Sequence, residues 1–257
     1  MEITSTPKIS PFASLKVVEF RNLMLGRFLF IMGLRMMGTL VGWWIYELTN
    51  EPFAIGLIGL AEVIPAVSLA LYAGHVIDIS EKRKLLLRGV SLYWICAIVL
   101  LGLSIYNDKS DNTNAFATHS ALIIAICIYF VVFCTGIIRS FTGPSFGTIV
   151  GAIIPKDLLQ NATTWSQGIW LTASILGHSI VGFIIAGYGH TGALISVVGL
   201  VTIGYFFIAK IKAKPPHADL VANQKTLESV KEGLRYVFNT KELLGALSLD
   251  LFAVLFG

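Results

Sequence analysis

The chain has 257 residues, of which 55% are hydrophobic and 13% are charged, and its formal net charge is +4. Soluble domains average about a quarter charged residues, and here the apolar residues come in long blocks, so the composition excludes an ordinary soluble domain. The lysines and arginines lie between those blocks and form no single basic face, so the positive charge does not indicate a nucleic-acid partner. We therefore predict an all-α integral membrane protein.

Residues 1–22 are polar and contain neither a short apolar core nor a small-residue cleavage site. They do not have the pattern of a cleaved signal peptide. We predict that they form a cytoplasmic N-terminal segment ahead of the first apolar block.

Six apolar blocks follow, and each approaches or exceeds the roughly 20 helical residues that cross a bilayer. The predicted spans are about Leu23–Leu48, Phe53–Ile79, Leu85–Tyr106, Ser120–Ile154, Ala162–Tyr188 and Thr191–Ala209. Pro65 predicts a kink in the second span. The fourth block contains Pro144 and is long for one crossing, which indicates a tilted helix or an end outside the bilayer. Residues 23–209 are thus predicted to form one six-helix transmembrane bundle.

Residues 210–241 are charged and include two adjacent prolines, so they are predicted to be a cytoplasmic linker. Within the linker, Thr226–Phe238 places apolar residues on one face and charged residues on the other, which predicts an amphipathic helix at the membrane surface or under the bundle. Residues 242–257 are apolar again but stop short of a full crossing. We expect a truncated seventh transmembrane helix, and hence a fragment of a longer protein.

The distribution of basic residues predicts the orientation. With the N-terminus inside, the opposite side carries only Lys109. The cytoplasmic side then carries Lys8, Lys16, Arg21 and Arg27 ahead of the first span, Lys82, Arg83, Lys84 and Arg88 after the second, Lys156 after the fourth, and seven cations from Lys210 to Lys241. This asymmetry follows the positive-inside rule. It predicts a multi-pass plasma-membrane protein with a cytoplasmic N-terminus.

The loop after the second span reads Gly74-His-Val-Ile-Asp-Ile-Ser-Glu-Lys-Arg-Lys-Leu-Leu86. This loop resembles the signature of the major facilitator superfamily, and the matching residues, here called the gate motif, are Gly74, Asp78, Lys82, Arg83 and Leu86. Ile79 and Glu81 depart from the signature. Gly74 is expected to permit close helix packing, and Asp78 to pair with loop cations or a helix N-terminus. The resemblance implies a latch between the two halves of a transporter on the cytoplasmic side.

One segment in the fourth span is similar to the same superfamily, and one in the fifth span departs from it. Arg139–Gly147 is similar to an intramembrane arginine followed by small residues four apart, and the resemblance implies a role for Arg139 in proton transfer. In the fifth span, His178 stands after Gly177 where exporters of the superfamily carry proline. This departure weakens the inference of proton antiport.

The turn from the first span into the second carries the closest likeness. Trp43–Thr49, Pro52–Leu60 and Ser248–Phe252 resemble the branch that contains enterobactin exporters and related permeases. The likeness covers about Phe20–Gly257. It implies that the chain is the amino-terminal half of a twelve-helix transporter and that this half consists of two inverted three-helix repeats. The C-terminal half of the same transporter is then a further expected partner.

Ionisable groups inside the spans are the candidate residues of a substrate or proton pathway, because each costs about 2.5–3.5 kcal/mol at a helix centre. They are Arg35, Glu62, Arg139, His178 and Asp250. Arg35 and Glu62 lie at similar depths in sequential helices, and we expect them to pair. Either Arg35 attracts an anionic substrate while Glu62 carries a proton, or the two form a permanent structural ion pair.

Each of the other three candidates also has two interpretations. Arg139 either binds substrate or the coupling ion, or it locks neighbouring backbone carbonyls. His178 either titrates near neutral pH or packs through a hydrogen bond. Asp250 either caps the seventh helix or lines the cavity.

We predict a secondary active transporter, a proton-coupled exporter of small amphipathic or anionic compounds such as drugs or siderophores, in the bacterial inner membrane. Its expected partners are a small-molecule substrate, protons and the bilayer, without cofactor, metal or nucleic acid. The alternative that the motif departures leave open is a non-transporting scaffold or sensor on the same fold. We expect no enzyme, because no His-Glu-x-x-His or P-loop string occurs and the histidines are scattered along the chain.

Overall fold

The computed structural model describes residues 10–110 and 117–213, together with 235, 239–241, 243–245, 248 and 249. These residues are helical apart from short connections. The helices are α1 (Val18–Thr49), α2 (Pro52–Ser68), α3 (Ala70–Ile79), α4 (Lys82–Ser110), α5 (Ala117–Ile153) and α6 (Leu159–Ala209), with single 3-10 turns at Ser14–Lys16 and Lys156–Leu158. Most of the predicted linker, its amphipathic helix and the seventh span lie outside the described residues.

Four of the described helices are long and apolar enough to cross a membrane: α1, α4, α5 and α6. A fifth crossing results if α2 and α3, which are bent by 51° relative to each other, count as one span. The predicted bend in the second span is therefore present. Its position is not the predicted one, because it falls at Leu69, after Pro65, whereas a proline ring disturbs the turn that precedes it.

α6 is too long for a single crossing, and its backbone breaks at Gly189. Its 51 residues would extend roughly 75 Å at about 1.5 Å per residue, against about 30 Å of hydrocarbon. Gly189 has φ 65° and ψ −170°, a conformation that glycine adopts without a steric penalty. We call residues 159–188 the first arm of α6 and residues 190–209 its second arm.

The two arms run in opposite directions along α1. Three hydrogen bonds to the first arm each join positions 139 apart: Arg27–Ser166, Arg35–Ser174 and Thr39–His178. A constant separation means that α1 and the first arm are parallel. On the second arm the order reverses, since Trp44 stacks on His190 while Gly26 lies beside Ile208. The arms therefore form a helical hairpin, as expected of two consecutive spans.

A second parallel pair joins α2 to α5. The Tyr129 hydroxyl donates to the carbonyl of Ala54 over 2.8 Å, and farther along Arg139 binds Glu62, so the separation stays near 76 residues. In an inverted repeat of three spans, the first span (α1) corresponds to the fourth (α5), and the second span (α2) corresponds to the fifth (the first arm of α6). The pair of α1 with the first arm therefore corresponds to the pair of α5 with α2. This correspondence supports the inverted repeat, which stays a prediction.

The turn between α1 and α2 follows from two residues. Asn50 ends α1 in the left-handed conformation with φ 54°, and its N–H donates to the carbonyl of Tyr46 over 2.8 Å. Asparagine tolerates this conformation better than most residues. Pro52 then occupies the first turn of α2, where its missing N–H costs nothing. The direction reversal after the first span is thus locally encoded.

Close helix crossings occur at glycines, although not at the ones with the clearest sequence spacing. The sequence favours the small-residue pairs Gly56/Gly59 and Gly143/Gly147, but a Cβ added at any of the four would meet nothing within 4 Å. At the crossing of α1 with the second arm, an added Cβ on Gly26 would lie 2.9 Å from the carbonyl oxygen of Gly204. The backbones touch here because neither residue has a side chain.

We predict that Gly26→Ala destabilises the protein by about 1–3 kcal/mol, because the new methyl group must push α1 away from the second arm. Gly38→Ala, on the same helix but with open space around it, is the matched control and should leave the melting temperature unchanged or raise it. Thermal unfolding in detergent compares the two. Equal melting temperatures for both variants would contradict the crossing.

Candidate functional site

An ion pair between α2 and α5 is the centre of the candidate site. Arg139 Nη1 lies 2.5 Å from Glu62 Oε1. Glu62 is ten residues into α2, about 15 Å along the helix axis, which is half the thickness of the hydrocarbon core. The two side chains are 40% and 29% exposed, so the pair lies on an open face of the bundle.

The prediction that Glu62 pairs with Arg35 is wrong. Consecutive helices need not be the closest neighbours, and here α1 packs chiefly on both arms of α6 while α2 packs on α5. The parallel packing of α2 on α5 brings Glu62 to Arg139 instead. Arg35 nevertheless remains close enough to interact electrostatically with both members of the pair.

Arg35 is held by the first arm of α6. Its Nε donates to the Ser174 hydroxyl over 3.3 Å, and its guanidinium carbon lies 5.4 Å from the ring centre of Trp170. This cation–π contact and the single hydrogen bond orient the side chain. The candidate site therefore contains two arginines and one carboxylate, with a formal charge of +1.

His178 joins the same group through Thr39. The Thr39 hydroxyl lies 3.2 Å from the Arg35 carbonyl oxygen and 2.6 Å from His178 Nδ1. A hydroxyl has one proton to donate. If the Thr39 hydroxyl donates it to the carbonyl, the hydroxyl oxygen must accept the hydrogen bond from His178, and Nδ1 then carries a proton. His178 thus makes the hydrogen bond of the packing interpretation, while its titration stays untested. Asp250 lies outside the described residues.

Tyr93 is a site residue that the sequence analysis missed. Its side chain is 2% exposed, and its hydroxyl lies 3.5 Å from the carbonyl oxygen of Leu34. It lines a cavity of ≈ 30 Å³ together with Glu62 and Thr135, which is room for about one water molecule. Tyrosine carries no charge at neutral pH, so nothing in the sequence distinguished it from a packing aromatic.

Arg27 is a third arginine within the helices, counted above with the cytoplasmic cations although it falls inside the predicted span Leu23–Leu48. α1 begins at Val18, so both Arg21 and Arg27 belong to the helix. Arg27 donates to the Ser166 hydroxyl, and its guanidinium carbon lies 5.2 Å from the ring centre of Phe146. Because these contacts tie α1 to α5 and α6, we interpret Arg27 as structural.

Only some residues of the gate motif are buried against, or bonded to, the described helices. Lys82 is 8% exposed and Leu86 is fully buried, while Arg83 Nη2 donates to the carbonyl of Ala209 over 2.6 Å. That carbonyl belongs to the last turn of α6, where the helix dipole favours a cation. The start of α4 is thereby fastened to the end of the second arm.

Two expectations for the gate motif are not met within the described residues. A Cβ added at Gly74 would meet nothing within 4 Å, so the expected close packing is not found there. Asp78 is exposed and belongs to neither ion pair found in the described part of the chain. Both are therefore open toward a surface that these helices do not fill.

Glu81, which departs from the superfamily signature, has a local role. Its carboxylate oxygens accept hydrogen bonds from the backbone N–H groups of Arg83 and Lys84, over 3.1 and 3.2 Å. These are unsatisfied donors of the first turn of α4, and a carboxylate is favoured at that end of a helix. Glu81 therefore caps α4.

The chain matches the family described as transmembrane secretion effector over residues 9–257. No curated protein and no solved structure matches it significantly. The family match covers the ion pair, the gate motif and both arms of α6.

We predict that Glu62→Gln lowers the stability of the protein by about 1–2 kcal/mol, because it leaves Arg139 without its counter-ion in the membrane. Adding Arg139→Gln should restore part of the loss. Thermal unfolding of the two single variants and the double variant gives a coupling free energy, with Glu51→Gln, an exposed carboxylate before α2, as control. Strictly additive effects would show that the pair contributes nothing.

Proposed function

The chain belongs to the transmembrane secretion effector family of the major facilitator superfamily, and on that premise we propose that it is a proton-coupled exporter of small amphipathic or anionic compounds. The family consists of multi-pass membrane transporters and not of enzymes. A bilayer and small-molecule substrates are therefore implied. The observation that carries the proposal is the half-exposed ion pair between Glu62 and Arg139.

Charge balance supports a binding role for this site. A charge inside a membrane helix is costly unless it is paired or faces a water-filled cavity. Glu62 neutralises one arginine, while Arg35 has no carboxylate of its own in the described helices. The surplus cation favours a substrate that carries a negative group, and the partly exposed Trp170 beside it provides apolar surface for an amphipathic body.

The same pair links substrate binding to proton binding. Protonation of Glu62 removes its charge and leaves Arg139 as well as Arg35 without a counter-ion, which favours an anion at that place. An anionic substrate is thus expected to bind together with a proton, and because both then move in the same direction, this coupling does not drive export. An amphipathic substrate with a positive group would instead compete with the proton for Glu62, which is the exchange that export against an inward proton gradient requires.

In this proposal the N-terminus is cytoplasmic, and two six-helix halves rock about the midplane site in alternating access. The exposed Asp78 and the open space at Gly74 then belong to the contact with the C-terminal half. Arg83 holds the start of α4 in place beside them through its hydrogen bond to the Ala209 carbonyl. The open face of the Glu62–Arg139 pair is the side on which the second half completes the cavity.

We predict that Glu62→Gln abolishes substrate-driven proton movement, lowering it at least about tenfold, because glutamine cannot carry a proton. The measurement uses the complete transporter in proteoliposomes with an internal pH-sensitive dye. Ethidium serves as the amphipathic cation and enterobactin as the amphipathic anion. Glu47→Gln, at the outer end of α1, removes a carboxylate outside the site and should retain the signal.

Two results would count against this proposal. Proton movement that persists in Glu62→Gln would exclude Glu62 as the carrier. The alternative function, a scaffold or sensor without transport, predicts no flux of either probe and no functional effect of Arg35→Ala. A flux that Arg35→Ala selectively reduces for enterobactin would instead support the arginine as the anion-binding group.

We predict that Asp78→Asn lowers the transport rate at least about tenfold while leaving the affinity for the probe within about twofold, because the carboxylate lies outside the substrate site. Rates in proteoliposomes and probe binding in detergent separate the two quantities. Asp157→Asn, an exposed carboxylate in the connection before α6, is the matched control. A variant with unchanged transport would remove Asp78 from the gate.

A further inference from the structure

We propose that the groove between α4 and the second arm of α6 binds an anionic glycerophospholipid of the leaflet that surrounds the start of α4. The groove consists of two adjoining cavities that share Ser91 and Tyr205. One measures ≈ 470 Å³ and is lined also by Lys84, Leu87, Arg88 and Leu92. The other measures ≈ 300 Å³ and is lined also by Trp94, Ile95, Thr202 and Phe206. The proposal does not depend on transport.

The length of the groove matches one leaflet. Lys84, Arg88, Ser91 and Ile95 follow one another at spacings of four, three and four residues, so they share one face of α4. From Lys84 to Ile95 the helix rises about 16 Å, roughly half of the hydrocarbon core of about 30 Å. A lipid whose headgroup lies at Lys84 would therefore end its acyl chains near Ile95.

The charged end of the groove selects for an anionic headgroup. Lys84 and Arg88 are both exposed, and neither cavity is lined by an aspartate or glutamate among the described residues. Cations at the membrane surface attract anionic lipids. The Ser91 hydroxyl is bonded to the Leu87 carbonyl over 2.9 Å, so its proton stays within the helix and the two cations dominate the recognition.

The deep end of the groove suits acyl chains. The Trp94 indole N–H donates to the Thr202 hydroxyl over 2.9 Å, which satisfies the polar atom of the ring within the protein. The faces of Trp94, Ile95 and Phe206 remain exposed, and they offer apolar surface without an unpaired donor. A free phosphate ion would use only the cationic end, whereas a phospholipid uses both.

The experiment measures contact between Trp94 and lipid chains. The full chain is placed in nanodiscs that contain phosphatidylglycerol or phosphatidylcholine with brominated acyl chains, and bromine quenches the indole fluorescence on contact. The difference between the natural chain and Trp94→Phe isolates the Trp94 signal. We expect brominated phosphatidylglycerol to quench Trp94 at about a tenfold lower mole fraction than phosphatidylcholine, and inorganic phosphate not to reverse the quenching.

The variant Lys84→Gln/Arg88→Gln should remove this preference, because it takes away both headgroup contacts. Arg21→Gln/Lys156→Gln removes two exposed cations at the same end of the bundle, but outside the groove, and should retain it. Equal quenching by the two lipids in the natural chain would reduce the groove to ordinary annular contact. Absence of quenching by either lipid would mean that another part of the chain covers the groove, and a preference retained in Lys84→Gln/Arg88→Gln would overturn the assignment of the headgroup site.

Discussion

The cost of placing charge in hydrocarbon is the constraint on which this structure depends. Arg27, Arg35 and Arg139 all lie in largely apolar helices, and each meets a group on a neighbouring helix. Arg27 and Arg35 each meet a hydroxyl and an aromatic ring, and Arg139 meets a carboxylate. Such contacts hold the helices in register. They also divide the arginines by role, since Arg27 lies among packed helices whereas the Glu62–Arg139 pair remains on an open face.

Helix packing decides which charges meet. α1 is parallel to the first arm of α6, and α2 is parallel to α5, so Glu62 reaches Arg139 rather than the arginine on the preceding helix. Backbone contact at glycine allows these approaches. An added Cβ on Gly136 would clash with the carbonyl oxygen of Glu62, so the crossing beside the ion pair tolerates no side chain. The close approach that forms the pair therefore depends on this glycine.

The candidate site and the gate motif are both incomplete in the same sense. The Glu62–Arg139 pair, Asp78 and Gly74 present polar or small groups to surfaces that the described helices leave open. In contrast, Arg83 donates to the end of α6 and Glu81 caps α4, while Lys82 and Leu86 are buried. The proposed alternating access needs this division, because groups that exchange partners between states must not be permanently bound within one half. The groove on α4 lies apart from both.

The sequence by itself determined the all-helical membrane character and the approximate positions of the described helices, because apolar length and the turn at Asn50 and Pro52 are local properties. It also identified Arg35, Glu62 and Arg139 as costly charges that require partners. Only the tertiary structure decided which partners those were, because two groups at similar depth can meet in several helix arrangements. Tyr93 and the packing glycine Gly26 were likewise invisible until the neighbouring helices were in place, because a phenol or a glycine acquires its role from what stands opposite it.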